Sequence, residues 1–210
     1  MSLLPPLIEP VATVLGMPLS IGDIAGFITG LVCVWLTTRS HIANFPVGII
    51  NCVILGLVFL ELRLFSDAGL QIVFITMGLI GWRAWLRHGG DAASLPVFRS
   101  SLREWLLLAL AATLVTLLLW QLMLWAKGSA PLLDALITAM SLCAQWLLNQ
   151  RRRDSWLWWI AIDVVSIPLY FSRGLPLIAV LYMLFLLLCI RGWFAWRAPQ
   201  MAGETTGAMA

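Results

Sequence analysis

Residues 156–170 read WLWWIAIDVVSIPLY, a hydrophobic run with one acidic residue near its middle. At the 100° per residue of an α-helix, Trp156, Trp159, Asp163, Ser166 and Tyr170 fall within an arc of about 80°. A carboxylate near the centre of a membrane-spanning helix costs several kcal/mol unless it faces the bundle interior or a wet cavity. We therefore expect this face to form the wall of a binding site.

The composition of the chain indicates an integral membrane protein. Its 210 residues are 61% hydrophobic and 11% charged, and the mean hydropathy is +0.96. A soluble core of this size cannot bury that much apolar surface, so the lipid bilayer is an expected partner. The net charge of +3 is too small to indicate nucleic-acid binding. Cys33, Cys52, Cys143 and Cys189 lie inside apolar runs without a C-x-x-C, which indicates packing rather than a metal site.

Seven apolar runs have the length that a membrane-spanning helix needs. They cover residues 20–38, 43–62, 66–86, 104–126, 131–149, 156–172 and 175–196. Residues 1–19 contain four prolines and no basic residue, so we expect an interfacial segment outside the cytoplasm and no cleavable signal peptide. Residues 20–198 form one membrane domain in this prediction. Residues 199–210, rich in Gly, Ala and Thr, are predicted to be a disordered cytoplasmic tail.

The distribution of basic residues predicts the orientation of the spans. With the N-terminus outside, all but three of the 13 Lys and Arg residues fall on cytoplasmic ends. The three exceptions are Arg63, Lys127 and Arg173. Because cytoplasmic loops carry an excess of Lys and Arg, we predict an outside N-terminus and a cytoplasmic C-terminus.

An internal repeat relates the first three spans to the last three. GWRAWLR from Gly81 matches GWFAWR from Gly192, and the same alignment places Gln71 on Tyr182. A shift of one residue places Asn51 on Asp163. The span at 104–126 is then an extra helix between residues 20–86 and 131–197, which makes the two halves parallel. We predict an all-α 3+1+3 bundle with its site at the repeat interface near the midplane.

Polar side chains inside the spans supply the other candidate ligands. Asp134, Thr138, Ser141, Gln145 and Asn149 share one face of the fifth span. The predicted substrate-binding set is Trp156, Trp159, Asp163, Gln145, Asn51, Gln71, Asn44, Ser141, Asn149 and Tyr182. The alternative role for the polar members is hydrogen bonding between helices.

Several other residues receive structural roles. Trp158 points away from the polar face and should contact lipid or another helix. Trp82, Trp85, Trp193 and Trp196 lie near span ends, where aromatic belt residues are typical. Arg151, Arg152 and Arg153 are interpreted as topology determinants. The sequence contains no H-E-x-x-H, G-x-S-x-G or P-loop motif, so we expect neither an enzyme nor a bound cofactor.

Five segments resemble the PnuC-type family of vitamin transporters, whose best-known members carry nicotinamide riboside. They are NFPVGIIN from Asn44, DAGLQIVF from Asp67, GWRAW from Gly81, AQWLLNQR from Ala144 and WLWWIAIDVVSIPLY from Trp156. Trp156, Trp159 and Asp163 match the W-x-x-W-x-x-x-N/D pattern of that family. The resemblance implies a bundle related to the SWEET sugar transporters, in a bacterial inner membrane. It also implies facilitated diffusion of an unphosphorylated vitamin, which a cytoplasmic kinase then traps.

The resemblance leaves the substrate open. Nicotinamide riboside is the family's commonest assignment and is our first expectation, with thiamine and riboflavin as alternatives. Nicotinamide riboside and thiamine are cations that suit an ionised Asp163, whereas riboflavin is neutral. The sequence leaves two other functions open, a proton-coupled carrier and a membrane-embedded enzyme or sensor. It also leaves open whether the protein is a homo-oligomer.

Overall fold

The computed structural model describes residues 5–14, 16–62, 64–87, 96–125 and 131–197. A short helix α1 (Pro5–Ile8) and two strands, β1 (Pro10–Val14) and β2 (Met17–Ser20), precede seven long helices. These helices are α2 (Ile21–Thr38), α3 (Asn44–Glu61), α4 (Phe65–Arg87), α5 (Leu102–Trp125), α6 (Pro131–Asn149), α7 (Ser155–Ser172) and α8 (Pro176–Ala195). Each is long and apolar enough to cross a membrane, and each begins and ends within two residues of its predicted span.

The N-terminal segment contains a β-hairpin that the sequence analysis did not predict. Strands β1 and β2 pair in antiparallel fashion, and Gly16 in their turn has a positive φ of 78°, which glycine adopts without steric cost. Helix α2 then begins with a capping box. The Ser20 hydroxyl accepts a hydrogen bond from the Asp23 backbone N–H, and the Asp23 carboxylate accepts one from the Ser20 N–H. The predicted tail at 199–210, Arg63 and Lys127 lie outside the described residues.

The two halves of the bundle repeat each other closely. Helix α3 begins at Asn44 and α7 at Ser155, and the two helices have the same length. The preceding turns also match, since Ser40 and Arg151 both have a positive φ, of 53° and 56°. The peptide nitrogens of the next residues then donate to equivalent carbonyl oxygens, His41 to Leu36 and Arg152 to Leu147.

This register corrects one predicted pairing. Because Ser40 and Arg151 are equivalent, Asp163 corresponds to Cys52, and Asn51 corresponds to Ile162. The predicted match of Asn51 with Asp163 is therefore wrong by one residue. The prediction aligned the two arginines Arg39 and Arg151. The residues with the same backbone conformation after the helix end are Ser40 and Arg151. The match of the two G-W-x-A-W segments already has the correct register.

The helices pack as two three-helix units. Helix α3 packs between α2 and α4, and α7 packs between α6 and α8. Across the interface, α2 contacts α8 and α4 contacts α6, so each unit presents the same two helices to the other. Helix α5 packs outside the units against α6. Trp105 of α5 stacks on Trp158 of α7 with ring centroids 5.7 Å apart, which confirms that Trp158 contacts another helix.

The three arginines between α6 and α7, which were predicted to be topology determinants, also make contacts with neighbouring segments. The Phe98 N–H donates to the Arg151 carbonyl, and the Arg153 N–H donates to the Phe98 carbonyl, at 3.1 and 2.9 Å. Arg152 forms an ion pair with Glu104 of α5. The Arg153 guanidinium donates to the Trp193 carbonyl at 3.1 Å. These contacts fix the segment before α5, the start of α5 and the last turn of α8 to the turn between α6 and α7.

Candidate functional site

A cavity of about 250 Å³ lies between the two three-helix units. Helices α2, α3, α4, α6, α7 and α8 all contribute to its wall, whereas none of the described side chains of α5 lines it. The volume is close to the lower end of the range for small-molecule sites. The predicted location of the site, at the interface of the two repeats, matches the position of this cavity.

Most of the lining residues come in equivalent pairs, one from each unit. The pairs are Gly30 and Ser141, Val34 and Gln145, Thr37 and Leu148, Phe45 and Trp156, Gly48 and Trp159, Asn51 and Ile162, Cys52 and Asp163, Phe74 and Phe185, and Gly78 and Cys189. The cavity therefore lies on the axis that relates the repeats. The second unit supplies Trp159 and Asp163 where the first has Gly48 and Cys52. Small residues in the first unit leave room for a flat ligand against the larger side chains of the second.

Most of the predicted binding residues line this cavity. They are Asn44, Asn51, Ser141, Gln145, Trp156, Trp159, Asp163 and Tyr182. Gln71 and Asn149 do not, which corrects their predicted place in the wall. Gln71 lies between helices, where its side chain faces Gly56 of α3. The Asn149 amide donates to the Met77 carbonyl at 2.8 Å and so ties α6 to α4.

Asp163 is the only charged side chain among the described residues that line the cavity. It is 2% exposed, and its Oδ2 atom has no hydrogen-bond partner in the described part of the chain. The Cys189 thiol of α8 lies beside the carboxylate. Because a buried carboxylate needs a compensating partner, this site favours a ligand that brings a positive charge or hydrogen-bond donors.

Aromatic rings form much of the remaining wall. Trp156 is 1% exposed, and its indole N–H has no partner among the described residues. Tyr182 stacks on Tyr170 with ring centroids 5.1 Å apart and meets the edge of Phe185 at 5.9 Å. Flat apolar faces of this kind suit a planar ring.

The amides of the wall have unequal freedom to bind a ligand. The Asn51 amide nitrogen donates to the Gly26 carbonyl at 2.7 Å and to the Thr29 hydroxyl at 2.9 Å. Both amide hydrogens are therefore used in hydrogen bonds between α3 and α2. Hydrogen bonding between helices is the alternative role that the sequence analysis gave for the polar side chains. The Gln145 amide donates to Asn149 Oδ1 at 3.1 Å, so Asn149 orients Gln145 from behind the wall.

Two tryptophans near the helix ends are buried, so their predicted role as belt residues is wrong. Trp85 and Trp196 are 1% and 3% exposed. The Trp85 indole N–H donates to the Asn149 carbonyl at 3.2 Å, and the Trp196 indole donates to the Thr37 carbonyl at 3.3 Å. Both rings therefore point into the bundle and bind helix-end carbonyls. Trp82 and Trp193 are half-buried and pack against the buried cluster that contains Trp85, Trp156 and Trp196.

The turn that carries Arg151 lies directly beside this cluster, outside the spanning helices. The Arg151 guanidinium carbon lies 4.6 Å from the centre of the Trp85 ring. Burial lowers the pKa of this guanidinium to about 10, so it keeps its charge at neutral pH. The arrangement is a cation–π contact that persists under physiological conditions.

Comparison with known proteins agrees with this architecture. The family described as nicotinamide mononucleotide transporter matches residues 20–198. The nicotinamide riboside transporter PnuC of Haemophilus influenzae is 31% identical over 175 residues, covering 80% of this chain and 76% of that protein. The PnuC protein of Escherichia coli is 24% identical over 211 residues, covering 86% and 87%.

A relative with another substrate and a solved structure complete the comparison. The riboflavin/roseoflavin transporter RibM of Streptomyces davaonensis is 28% identical and covers 83% of each chain. A crystal structure of the vitamin B3 transporter PnuC superposes with a TM-score of 0.66 at 26% identity, covering 83% of this chain and 79% of that one. The chain therefore belongs to the PnuC family of nicotinamide mononucleotide transporters, and it is a seven-helix membrane transporter rather than an enzyme.

Proposed function

We propose that this transporter carries nicotinamide riboside across the bacterial inner membrane by facilitated diffusion. The observation that carries the proposal is the chemistry of the cavity wall. It combines aromatic faces, amide groups and the buried Asp163 carboxylate, and none of the described residues in it is cationic. A pyridinium ring can stack on Trp159 and pair with Asp163, while ribose hydroxyls can bind Gln145 and Ser141.

The same wall argues against a phosphorylated substrate. A phosphate group carries up to two negative charges, and proteins recognise it with Arg, Lys or clustered backbone N–H groups. In this cavity a phosphate would meet aromatic faces, a few amides and the Asp163 carboxylate, with no Arg or Lys among the described lining residues. We propose that the riboside enters and that a cytoplasmic kinase phosphorylates it. The nucleotide then cannot return through the same cavity.

The two three-helix units supply the means of alternating access. We propose that they rock against each other about the cavity, with α2 and α4 of one unit moving against α8 and α6 of the other. We propose that one end of the bundle, the end at which α2 and α6 finish, faces the cytoplasm. The basic residues support this orientation, because Arg39, Arg103 and Arg197 lie exposed at that end.

Riboflavin and thiamine are the competing substrates. The similarity to RibM favours riboflavin as a family alternative. Riboflavin, however, brings no positive charge to the buried Asp163 carboxylate, whereas thiamine does. The cavity chemistry therefore ranks nicotinamide riboside and thiamine above riboflavin.

Uptake by the purified chain in proteoliposomes tests the proposal. With the membrane potential held at zero, we expect radiolabelled nicotinamide riboside to equilibrate across the bilayer, unmodified and without need of a proton gradient. Uptake of thiamine or riboflavin in its place would overturn the substrate. Accumulation above the external concentration only when a proton gradient is applied would overturn the passive mechanism. Recovery of a chemically altered product would point to an enzyme.

A further inference from the structure

Four aromatic rings form a layer at the end of the bundle where α2 and α6 finish. We name this layer the tryptophan floor: Phe45, Trp85, Trp156 and Trp196. Phe45 meets Trp85 edge-on at 5.0 Å and 86°, and Trp156 meets Trp196 edge-on at 5.4 Å and 86°. Trp85 and Trp196 touch each other across the repeat axis, with centroids 6.4 Å apart. The four rings are thus two equivalent pairs that meet at the interface of the units.

The floor lies at one end of the cavity. Phe45 and Trp156 line the cavity, whereas Trp85 and Trp196 do not line it and are buried next to them. The glycine of the second G-W-x-A-W segment makes room for this packing, since a Cβ atom at Gly192 would lie 2.5 Å from the Trp156 ring. Trp85 and Trp196 thus lie directly behind two lining residues, Phe45 and Trp156, at this end of the cavity.

The hydrogen bonds of the floor cross from one unit to the other. Trp85 of the first unit donates to Asn149 of the second, and Trp196 of the second donates to Thr37 of the first. Both acceptors are carbonyls in the last turn of a helix, and the Thr37 carbonyl also accepts a hydrogen bond from the Ser40 N–H at 2.9 Å. Both bonds are buried when the floor is closed, and their carbonyls can bind water once the two units separate, which limits the net cost of breaking the bonds.

We propose that the tryptophan floor is the gate on the side where α2 and α6 finish, and that Trp85 and Trp196 are its gating residues. When the two units rock apart at this end, both indole bonds break together and the ring contact between Trp85 and Trp196 opens. Trp156 belongs to the floor and to the cavity wall at once. A ligand stacked on the helix α7 aromatics therefore contacts the gate directly.

Thiol labelling tests the gate without any substrate, so the test is independent of which vitamin is carried. Cys52 lines the cavity and can serve as the reporter in a background where Cys33, Cys143 and Cys189 are replaced by alanine. The probe is a cationic, membrane-impermeant methanethiosulfonate, applied to inside-out and right-side-out vesicles. A parallel Arg103→Cys variant in a background that also lacks Cys52 identifies which vesicles expose the floor side, because Arg103 is exposed at the start of α5.

We expect W85F combined with W196F to raise the rate of Cys52 labelling from the floor side about tenfold, because phenylalanine keeps the ring but lacks the donor. Trp146→Phe, an exposed tryptophan on α6, should leave the rate unchanged. An unchanged rate in the double variant, or an equal increase from both sides, would overturn the proposal. If the double variant fails to fold, each single variant should still raise the rate about threefold from the floor side alone, and a single variant without that increase counts against the gate.

Discussion

Replacing Asp163 by asparagine should weaken the binding of nicotinamide riboside about tenfold or more, and it should abolish the preference for a cation. Asparagine keeps the size of the side chain but removes the charge. Asp163 has no cationic neighbour among the described residues that line the cavity, so in our proposal the compensating charge comes from the ligand. A charge-assisted contact in a buried site is worth enough to account for a change of that size.

A neutral analogue separates charge from shape in this experiment. The 1,4-dihydro form of nicotinamide riboside has nearly the same outline but no positive charge. Calorimetry should show that the wild-type protein prefers the cation and that Asp163→Asn binds both forms about equally. Asp67→Asn is the matched control, because Asp67 is exposed on α4 and does not line the cavity. Equal loss of both ligands in Asp163→Asn would mean that the residue holds the fold rather than selects charge.

Replacing Trp159 by alanine should raise the dissociation constant about tenfold to a hundredfold, the range expected when a stacking partner of a planar ring is lost. Trp159 lines the cavity on α7, and its equivalent in the first unit is Gly48. No ring from the equivalent position can therefore replace the lost indole. Binding of nicotinamide riboside to the purified variant in detergent measures the effect.

Two companion variants make the Trp159 result specific. Trp159→Phe should recover most of the affinity, because a smaller aromatic face remains. Trp146→Ala should bind like the wild type, because Trp146 is 49% exposed on the outside of α6. Thermal unfolding of each variant checks that the bundle is intact. Wild-type affinity in a folded Trp159→Ala protein would remove the α7 aromatic face from the site.

The membrane spans could be predicted from the sequence because one strong physical constraint sets them. An apolar run must be about 20 residues long to cross the bilayer, and polar turns interrupt the runs. The helical spacing of Trp156, Trp159 and Asp163 likewise identified a face that does line the cavity. An acidic residue in an apolar helix is stable only where it faces the bundle interior or a wet cavity. The position of Asp163 in its span therefore predicts which face of the helix is buried.

The features that the sequence did not reveal depend on contacts between distant segments. Whether Trp85 and Trp196 face lipid or the bundle depends on helix rotation, and an indole near a span end is compatible with both. The position of Asn51 in its span predicted contact with a ligand. In the structure its amide nitrogen donates to Gly26 and Thr29 of α2 instead. The pairing of α3 with α7 was predicted one residue out, because the turns at Ser40 and Arg151 set it through positive φ angles that the side chains do not indicate.

The most direct test of the proposed cargo compares two ligands that differ by one phosphate group. Isothermal titration of the purified transporter should show that nicotinamide riboside binds at least about tenfold more tightly than nicotinamide mononucleotide, since a buried phosphate facing Asp163 without a cation is strongly disfavoured. Equal or tighter binding of the mononucleotide would contradict the assignment of this cavity to an unphosphorylated cation.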